Sequence, residues 1–270
     1  MNLQHAWRCL RGVTTREALR FVGQRGRFFS ALVRPLVWLF IFAAGFRSVL
    51  GISIIAPYET YILYEEYITP GLLGMIMLFN GMQSSLSMVY DREMGSMSVL
   101  LTTPLPRWYL LLCKLLAGVL VAVLQSYVFL AIAWFWDIRP PLAGYLSVLP
   151  ALICAGLMLG ALGLLLSSLI RQLENFAGVM NFVIFPMFFA SSALYPLWKM
   201  QESSLVLYWV CTLNPFTHAV ELIRFALYGK FSAVALLVVA VCTIAFLVAA
   251  VIGYDPARGS LPKKMSAAKA

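Results

Sequence analysis

The sequence predicts an all-α polytopic membrane protein, and three observations carry that reading. Of 270 residues, 62% are apolar and only 11% are charged, with a mean hydropathy of +0.87. A soluble domain is roughly 45–50% apolar and about 25% charged. The apolar residues gather into six runs, each about as long as a helix needs to cross a bilayer. The basic residues lie at the ends: Arg8, Arg11, Arg16, Arg20, Arg25, Arg27 and Arg34 precede the first run, and Arg258, Lys263, Lys264 and Lys269 follow the last. The positive-inside bias produces this pattern. The net charge of +9 is therefore read as facing lipid headgroups and cytosol. No basic face with interleaved aromatics suggests base stacking, so nucleic acid is not an expected partner.

Residues 1–34 form the first unit, polar and basic, yet Leu3, Trp7 and Leu10 fall at helical spacing. Such a segment lies in the headgroup plane, apolar face down and arginines on phosphates; the plainer alternative is a disordered basic tail. The transmembrane unit is expected over 35–253. Pro35 opens the first span, Leu36–Ile55, followed by an acidic, tyrosine-rich outer loop with Glu59, Glu65, Glu66, Tyr58, Tyr61, Tyr64 and Tyr67. The second span is expected over Ile68–Val89, and the third over Trp108–Trp136, with Lys114 snorkelling near one end and Gln125 mid-membrane. The fourth covers Leu146–Ile170, where Gly156, Gly160 and Gly163 permit close packing. After a tight turn at 171–175 the fifth covers Phe176–Leu194.

Residues 196–229 are apolar but interrupted by Pro196, Lys199, Glu202, Asn214, Pro215, His218, Glu221 and Arg224. Two amphipathic helices broken at Asn214-Pro215, dipping into the outer leaflet without crossing, explain that pattern; irregular backbone at such depth needs protein or a wet cavity beside it. The sixth span is Phe231–Gly253, and 254–270 is a basic tail. With six spans and both ends inside, inner segments hold fifteen Lys and Arg against five acids, outer segments five against six. Both termini are therefore expected in the cytoplasm. The five cysteines show no metal spacing and no disulfide framework, His5 and His218 have no nearby ligand set, and no metal is expected. The N-terminus lacks the continuous apolar core of a cleavable signal peptide.

The longest polar interruption in the first half runs from Tyr90 to Arg107. Asp91, Arg92 and Glu93 together can cap a helix start, because carboxylates there accept orphan amide bonds and face the positive dipole end. Met94, Met97, Val99 and Leu101 add an apolar surface, and Pro104 with Pro106 ends the element. A short helix over about 91–103, tied to two spans, is something a partner can push; an ordinary solvated hairpin loop is the alternative.

Here the pattern becomes familiar. Tyr90-Asp91-Arg92-Glu93-Met94-Gly95-Ser96-Met97 with Leu100-Leu101-Thr102-Thr103-Pro104 resembles the loop motif of ABC-2 type transporter permeases, with Ser96 where that family commonly has Thr. Asn214-Pro215-Phe216-Thr217-His218 with Glu221-Leu222-Ile223-Arg224 resembles that family's motif before its last span. The resemblance covers essentially the whole chain. It implies a type V exporter-like fold: six spans, an N-terminal interfacial helix and an outer re-entrant pair. It also implies a half-transporter in a bacterial inner membrane, two permease subunits (two copies of this chain) with two cytosolic ABC ATPase subunits. It is closest to the drug and lipooligosaccharide exporter group, and similar to permeases associated with quinone-dependent alcohol oxidation.

No GxxxxGK[ST] loop is present, so no enzyme activity is expected of this chain; ATP and Mg would belong to the partner subunit. By resemblance Asp91, Arg92, Glu93, Met94, Gly95 and Met97 would contact the ATPase. A path between two copies would be lined by the second and fifth spans through Asn80, Gln83, Ser84, Asn181, Phe185 and Ser191, although each polar one also suits helix–helix bonding inside one subunit. Phe182, Phe185, Met187, Phe188 and Phe189 suit an amphipathic or small organic cargo, and equally suit lipid. Asn214, Pro215, Glu221 and Arg224 would form an outer gate or a structural clasp; Glu221 and Arg224 are one helical turn apart. A lipid-linked sugar or polysaccharide is the alternative cargo within the family. An ion-coupled transporter or channel is the alternative class, but it normally needs ionisable groups at the midplane, and no Asp, Glu or His falls within the six runs.

Overall fold

The computed structural model describes residues 3–23, 32–41, 56–58, 62–93, 106–170 and 172–254. Every regular element among them is helical: α1 Leu3–Gly23, α2 Leu32–Ile41, α3 Tyr64–Glu93, α4 Arg107–Trp134, α5 Leu142–Leu169, α6 Leu173–Phe189, α7 Leu197–Ser203, α8 Leu205–Leu213, α9 Pro215–Leu227 and α10 Ala233–Gly253. Among the described residues four helices, α3, α4, α5 and α10, are long and apolar enough to cross a membrane, and α2 and α6 are shorter apolar helices. The expected first span continues beyond Ile41 outside the described residues. The expected fifth span is realised as a helix of 17 residues that ends at Phe189 rather than Leu194.

α3 differs most from expectation, because it reaches beyond the expected span at both ends. Tyr64, Glu65, Glu66 and Tyr67 belong to its first turn rather than to a loop. Two acids at a helix start face the positive end of the dipole, which favours this extension. The two tyrosines are buried, and their hydroxyls donate to the carbonyls of Leu194 (2.8 Å) and Ser192 (3.0 Å). Pro70 lies inside the helix, where it withholds one backbone donor. Beside it the Thr69 hydroxyl donates to the Glu65 carbonyl at 2.8 Å.

α3 is also the centre of the fold. Its most apolar window is 72% buried against 17% for α10, which lies at the periphery. It packs most extensively on α5, and the glycines named above explain how. A Cβ on Gly81 would lie 2.9 Å from the Gly160 backbone, and one on Gly163 would lie 2.8 Å from the Gly81 carbonyl. The two backbones touch, as small-residue crossings in lipid do. Met77, Gly81, Ser84, Ser85, Leu115 and Gly118 line a cavity of about 10 Å³ where α4 joins that crossing.

The re-entrant region holds three helices where two are expected. Asn214 breaks it as predicted, and Ser204, in extended conformation, separates α7 from α8. The split follows composition: α7 carries exposed Lys199, Gln201 and Glu202, whereas α8 exposes Leu205, Val206, Trp209 and Leu213. α9 is amphipathic and buries Phe216, Ala219, Val220, Ile223, Arg224 and Leu227 against α3 and α5.

Close backbone contact makes a direct prediction. A Cβ on Gly144 of α5 would come within 1.9 Å of the Leu227 carbonyl, whereas one on Gly178 of α6 meets nothing within 4 Å. Gly144→Ala should destabilise by ~1–3 kcal/mol through overpacking. Gly178→Ala should be neutral or stabilising by up to ~1 kcal/mol, since alanine favours helix. Melting of the detergent-solubilised chain compares the two; equal midpoints would refute the contact.

Candidate functional site

Two polar centres sit at opposite ends of α3, about 40 Å apart along a 30-residue helix at 1.5 Å per residue. The first surrounds the irregular stretch that follows α6. The carbonyls there lack helical partners, and in apolar surroundings each must find a donor. Ser191, buried, donates its hydroxyl to the Phe188 carbonyl (2.6 Å) and accepts from the Ala193 amide. Asn214 donates through Nδ2 to the carbonyls of Met187 (2.8 Å) and Ala190 (2.6 Å), while its Oδ1 accepts from the Phe216 amide (3.0 Å). One side chain thus closes α6 and starts α9, with Pro215 at the first helical position, where its missing amide costs nothing.

The neighbouring carbonyl of Ser192 collects two donors, Tyr67 from α3 and the Arg224 guanidinium from α9 at 2.7 Å. Arg224 is fully buried, donates Nη1 to Glu221 and lies over the Tyr67 ring, 4.2 Å from its centre. Burial works against its charge, but Tyr67, Glu221 and Tyr58 work for it, and the net direction holds the guanidinium above its ordinary range. Burial likewise pushes the Tyr58 phenol well up. The corner between α8 and α9 is satisfied in the same manner: Thr217 donates to the Cys211 carbonyl at 2.6 Å, and the His218 ring meets the Thr212 carbonyl at 3.0 Å. Of the four residues read as an outer gate or clasp, Asn214 and Arg224 thus bond neighbouring carbonyls of one irregular stretch, Glu221 pairs with Arg224, and Pro215 starts α9. Tyr67 and the Ser192 carbonyl complete the Arg224 cluster, with the Tyr58 ring beside Tyr67; the sequence reading placed Tyr67 in an interfacial loop instead of on α3.

The second centre involves the start of the expected coupling motif. Asp91 and Glu93 lie within the helix of α3, in its last described turn, and the rest of the short helix expected over about 91–103 lies outside the described residues. Asp91 is buried against the Lys114 ammonium at 2.8 Å, with the Arg16 guanidinium at 3.8 Å. Lys114 is itself buried and does not snorkel. Glu93 is exposed. The side chain of Arg92 and all of Met94, Gly95 and Met97 lie outside the described residues.

The six residues expected on a path differ in their surroundings. Asn80 is turned toward α4, donating to the Gln125 side chain and to the Ile76 carbonyl. Ser84 borders the small cavity beside Gly118, Gln83 is half-buried, and Ser191 serves the carbonyls of its own loop. Asn181 and Phe185 are exposed on α6, in a row with Phe182 (79% exposed) and Phe189 (43%). The Phe185 and Phe189 rings stack, and Trp38 of α2 meets Phe188 and Phe189 edge-on. Among the described residues no three His, Cys, Asp or Glu side chains converge as a metal site would require.

The bonded cluster predicts the effect of its removal. Arg224→Met leaves the half-buried Glu221 without its donor and the Ser192 carbonyl with Tyr67 alone, and should cost ~3–5 kcal/mol. Lys at 224 has no planar fork with which to hold both acceptors, so Arg224→Lys should recover little of that loss. Asn214→Ala should cost ~1–2 kcal/mol as a lost cap. Thermal unfolding in detergent or nanodiscs measures all three; a wild-type midpoint for Arg224→Met would refute the clasp.

Comparison with known proteins places these features. Residues 9–228 match the ABC-2 type transporter family. A protein of Escherichia coli K12 named as a probable multidrug ABC transporter permease, YbhR, is 31% identical over 170 residues, 62% of this chain and 45% of its own length. Proteins named as transport permease ycf38 are 27% identical in Cyanophora paradoxa and 26% in Porphyra purpurea, each over 201 residues, 73% of this chain and 66% of their own. The matched stretch thus spans less than half of the bacterial relative and about two thirds of the algal ones.

Proposed function

The chain belongs to the ABC-2 type transporter family, and from that premise we propose that it is the permease half of an ATP-driven exporter. Membership and the four long apolar helices support a multi-pass membrane transport subunit, and in this reading it works with an ABC ATPase. The match along 9–228 carries the proposal, because it joins α1 through α9 in one family unit. In this reading two copies of the chain pair in a bacterial inner membrane with both termini in the cytoplasm. Two cytosolic ATPase subunits supply ATP and Mg, and cargo crosses between the copies by alternating access.

The topology proposed is type V exporter-like. The runs at 36–55 and α6 join α3, α4, α5 and α10 as six spans, α1 within 1–34 lies at the inner surface, and 254–270 is a cytoplasmic tail. α7, α8 and α9 then form the re-entrant group on the outer side, where the Arg224 cluster braces or gates the mouth. The Asp91 centre faces the cytoplasm. Asn181 and Phe185, exposed with Phe182 and Phe189 on α6, are the described path candidates best placed to meet a second copy or a cargo. An aromatic face with one amide suits an amphipathic organic solute, and the multidrug name of the bacterial relative agrees with that class.

ATP hydrolysis of the chain co-expressed with a candidate ABC ATPase in lipid tests the reading. Arg92→Ala with Glu93→Ala should reduce ATPase association about tenfold or more with an unchanged melting point, as should Met94→Ala with Met97→Ala. Asp91→Ala should instead lower the melting point, because it strands the buried Lys114 charge. Failure of every ABC ATPase tried to associate with the wild-type chain would overturn the proposal.

A further inference from the structure

Asp91 and Lys114 form the one ion pair among the described residues whose two side chains are both under 10% exposed, at 7% and 5%. Asp91 sits in the last described turn of α3, and Lys114 sits seven residues into α4, about 10 Å from its start at 1.5 Å per residue. The chain between Glu93 and Arg107 joins these two helices, so the pair bridges them just inside the connection. Arg16, 43% exposed at 3.8 Å from the same carboxylate, adds α1 as a third leg.

We infer that Asp91 and Lys114 are positioning residues that lock the ends of α3 and α4 into one body, so that force applied between Glu93 and Arg107 displaces both helices together. This rests on the coupling reading above. The physical ground is the asymmetry of buried charge. Separating the pair takes each buried charge away from an opposite charge at hydrogen-bond distance, so opening the two legs is strongly opposed. An apolar contact at the same place would slide at little cost; a charge-assisted bond at 2.8 Å has a defined length and direction. Two legs free to splay would absorb a push locally. Two legs bolted together pass it along α3, whose far end bonds Leu194 through Tyr64 and joins the Arg224 cluster through Tyr67. Arg16, more open to solvent and farther away, contributes a weaker, salt-screened tie.

The test is a pair of spin labels on the exposed positions 90 and 108, introduced as Tyr90→Cys and Trp108→Cys in a background with the five native cysteines changed to alanine. Distances are measured by electron–electron double resonance in the reconstituted complex with its ATPase, with and without ATP and Mg. The parent chain should give one narrow distribution, unchanged by nucleotide. Lys114→Met should give a distribution at least twice as broad once ATP is present. Asp91→Leu with Lys114→Met, which strands no charge, guards against simple misfolding; it should keep the parent melting point and still splay with ATP. Exchange of the charges, Asp91→Lys with Lys114→Asp, should restore the narrow distribution. Legs that separate in the parent chain, or stay together without either charge, would overturn the lock while leaving the coupling reading intact. An ATPase that does not co-purify with the parent chain would overturn both.

Discussion

The constraint on which the structure turns is the set of backbone carbonyls beyond α6. A helix that stops at Phe189 and continues as irregular chain to Pro196 presents acceptors that lipid cannot satisfy. Donors are therefore brought from three other parts of the sequence: Asn214 from the junction of α8 and α9, Arg224 from α9, and Tyr64 and Tyr67 from α3. Each of these is also an element boundary or a buried face, so satisfying the carbonyls fixes how α3, α6 and α9 meet. The early end of α6 follows from the same arrangement. Once Asn214 and Ser191 take over its last carbonyls, nothing requires the helix to continue.

The opposite end of α3 solves a different problem by the same means. A carboxylate on α3 and a lysine two turns into an apolar helix are each disfavoured by burial. Together they remove each other's penalty, which explains why Asp91 turns inward and Lys114 does not reach for the surface. Between the two centres the Gly81, Gly160 and Gly163 crossing brings α3 onto α5 at backbone distance. α3 is thus clasped at one end, paired at the other and in backbone contact with α5 between them.

Much of this was legible in the sequence, and the losses have physical causes. Apolar runs and their breaks located the long helices to within a few residues, because hydropathy measures what a membrane selects. The glycines of α5, the Asn214-Pro215 break and the Glu221–Arg224 pair were all readable, since each depends on neighbours in sequence. The tyrosines were not. Tyr58, Tyr64 and Tyr67 beside two acids have the composition of a wet interfacial loop, and only the carbonyls at Ser192 and Leu194, more than 120 residues away, draw Tyr64 and Tyr67 inward. Asn80 and Gln125 illustrate the same limit: each is a polar side chain in a span, and composition cannot say that they bond to one another.

The motif at Asp91-Arg92-Glu93 shows how the two levels of reading join. Taken as composition, three consecutive charges between spans are one solvated patch. On a helix they are 100° apart, so adjacent residues cannot share an environment. Asp91 is buried and Glu93 exposed. The same short motif can therefore carry a residue that belongs to the fold and another that belongs to the surface. A contact with a cytosolic partner requires both, since an exposed charge guides a partner only when the helix bearing it is held in place. The Asp91–Lys114 pair supplies such a hold from within the protein, and the Glu93 side chain is left exposed.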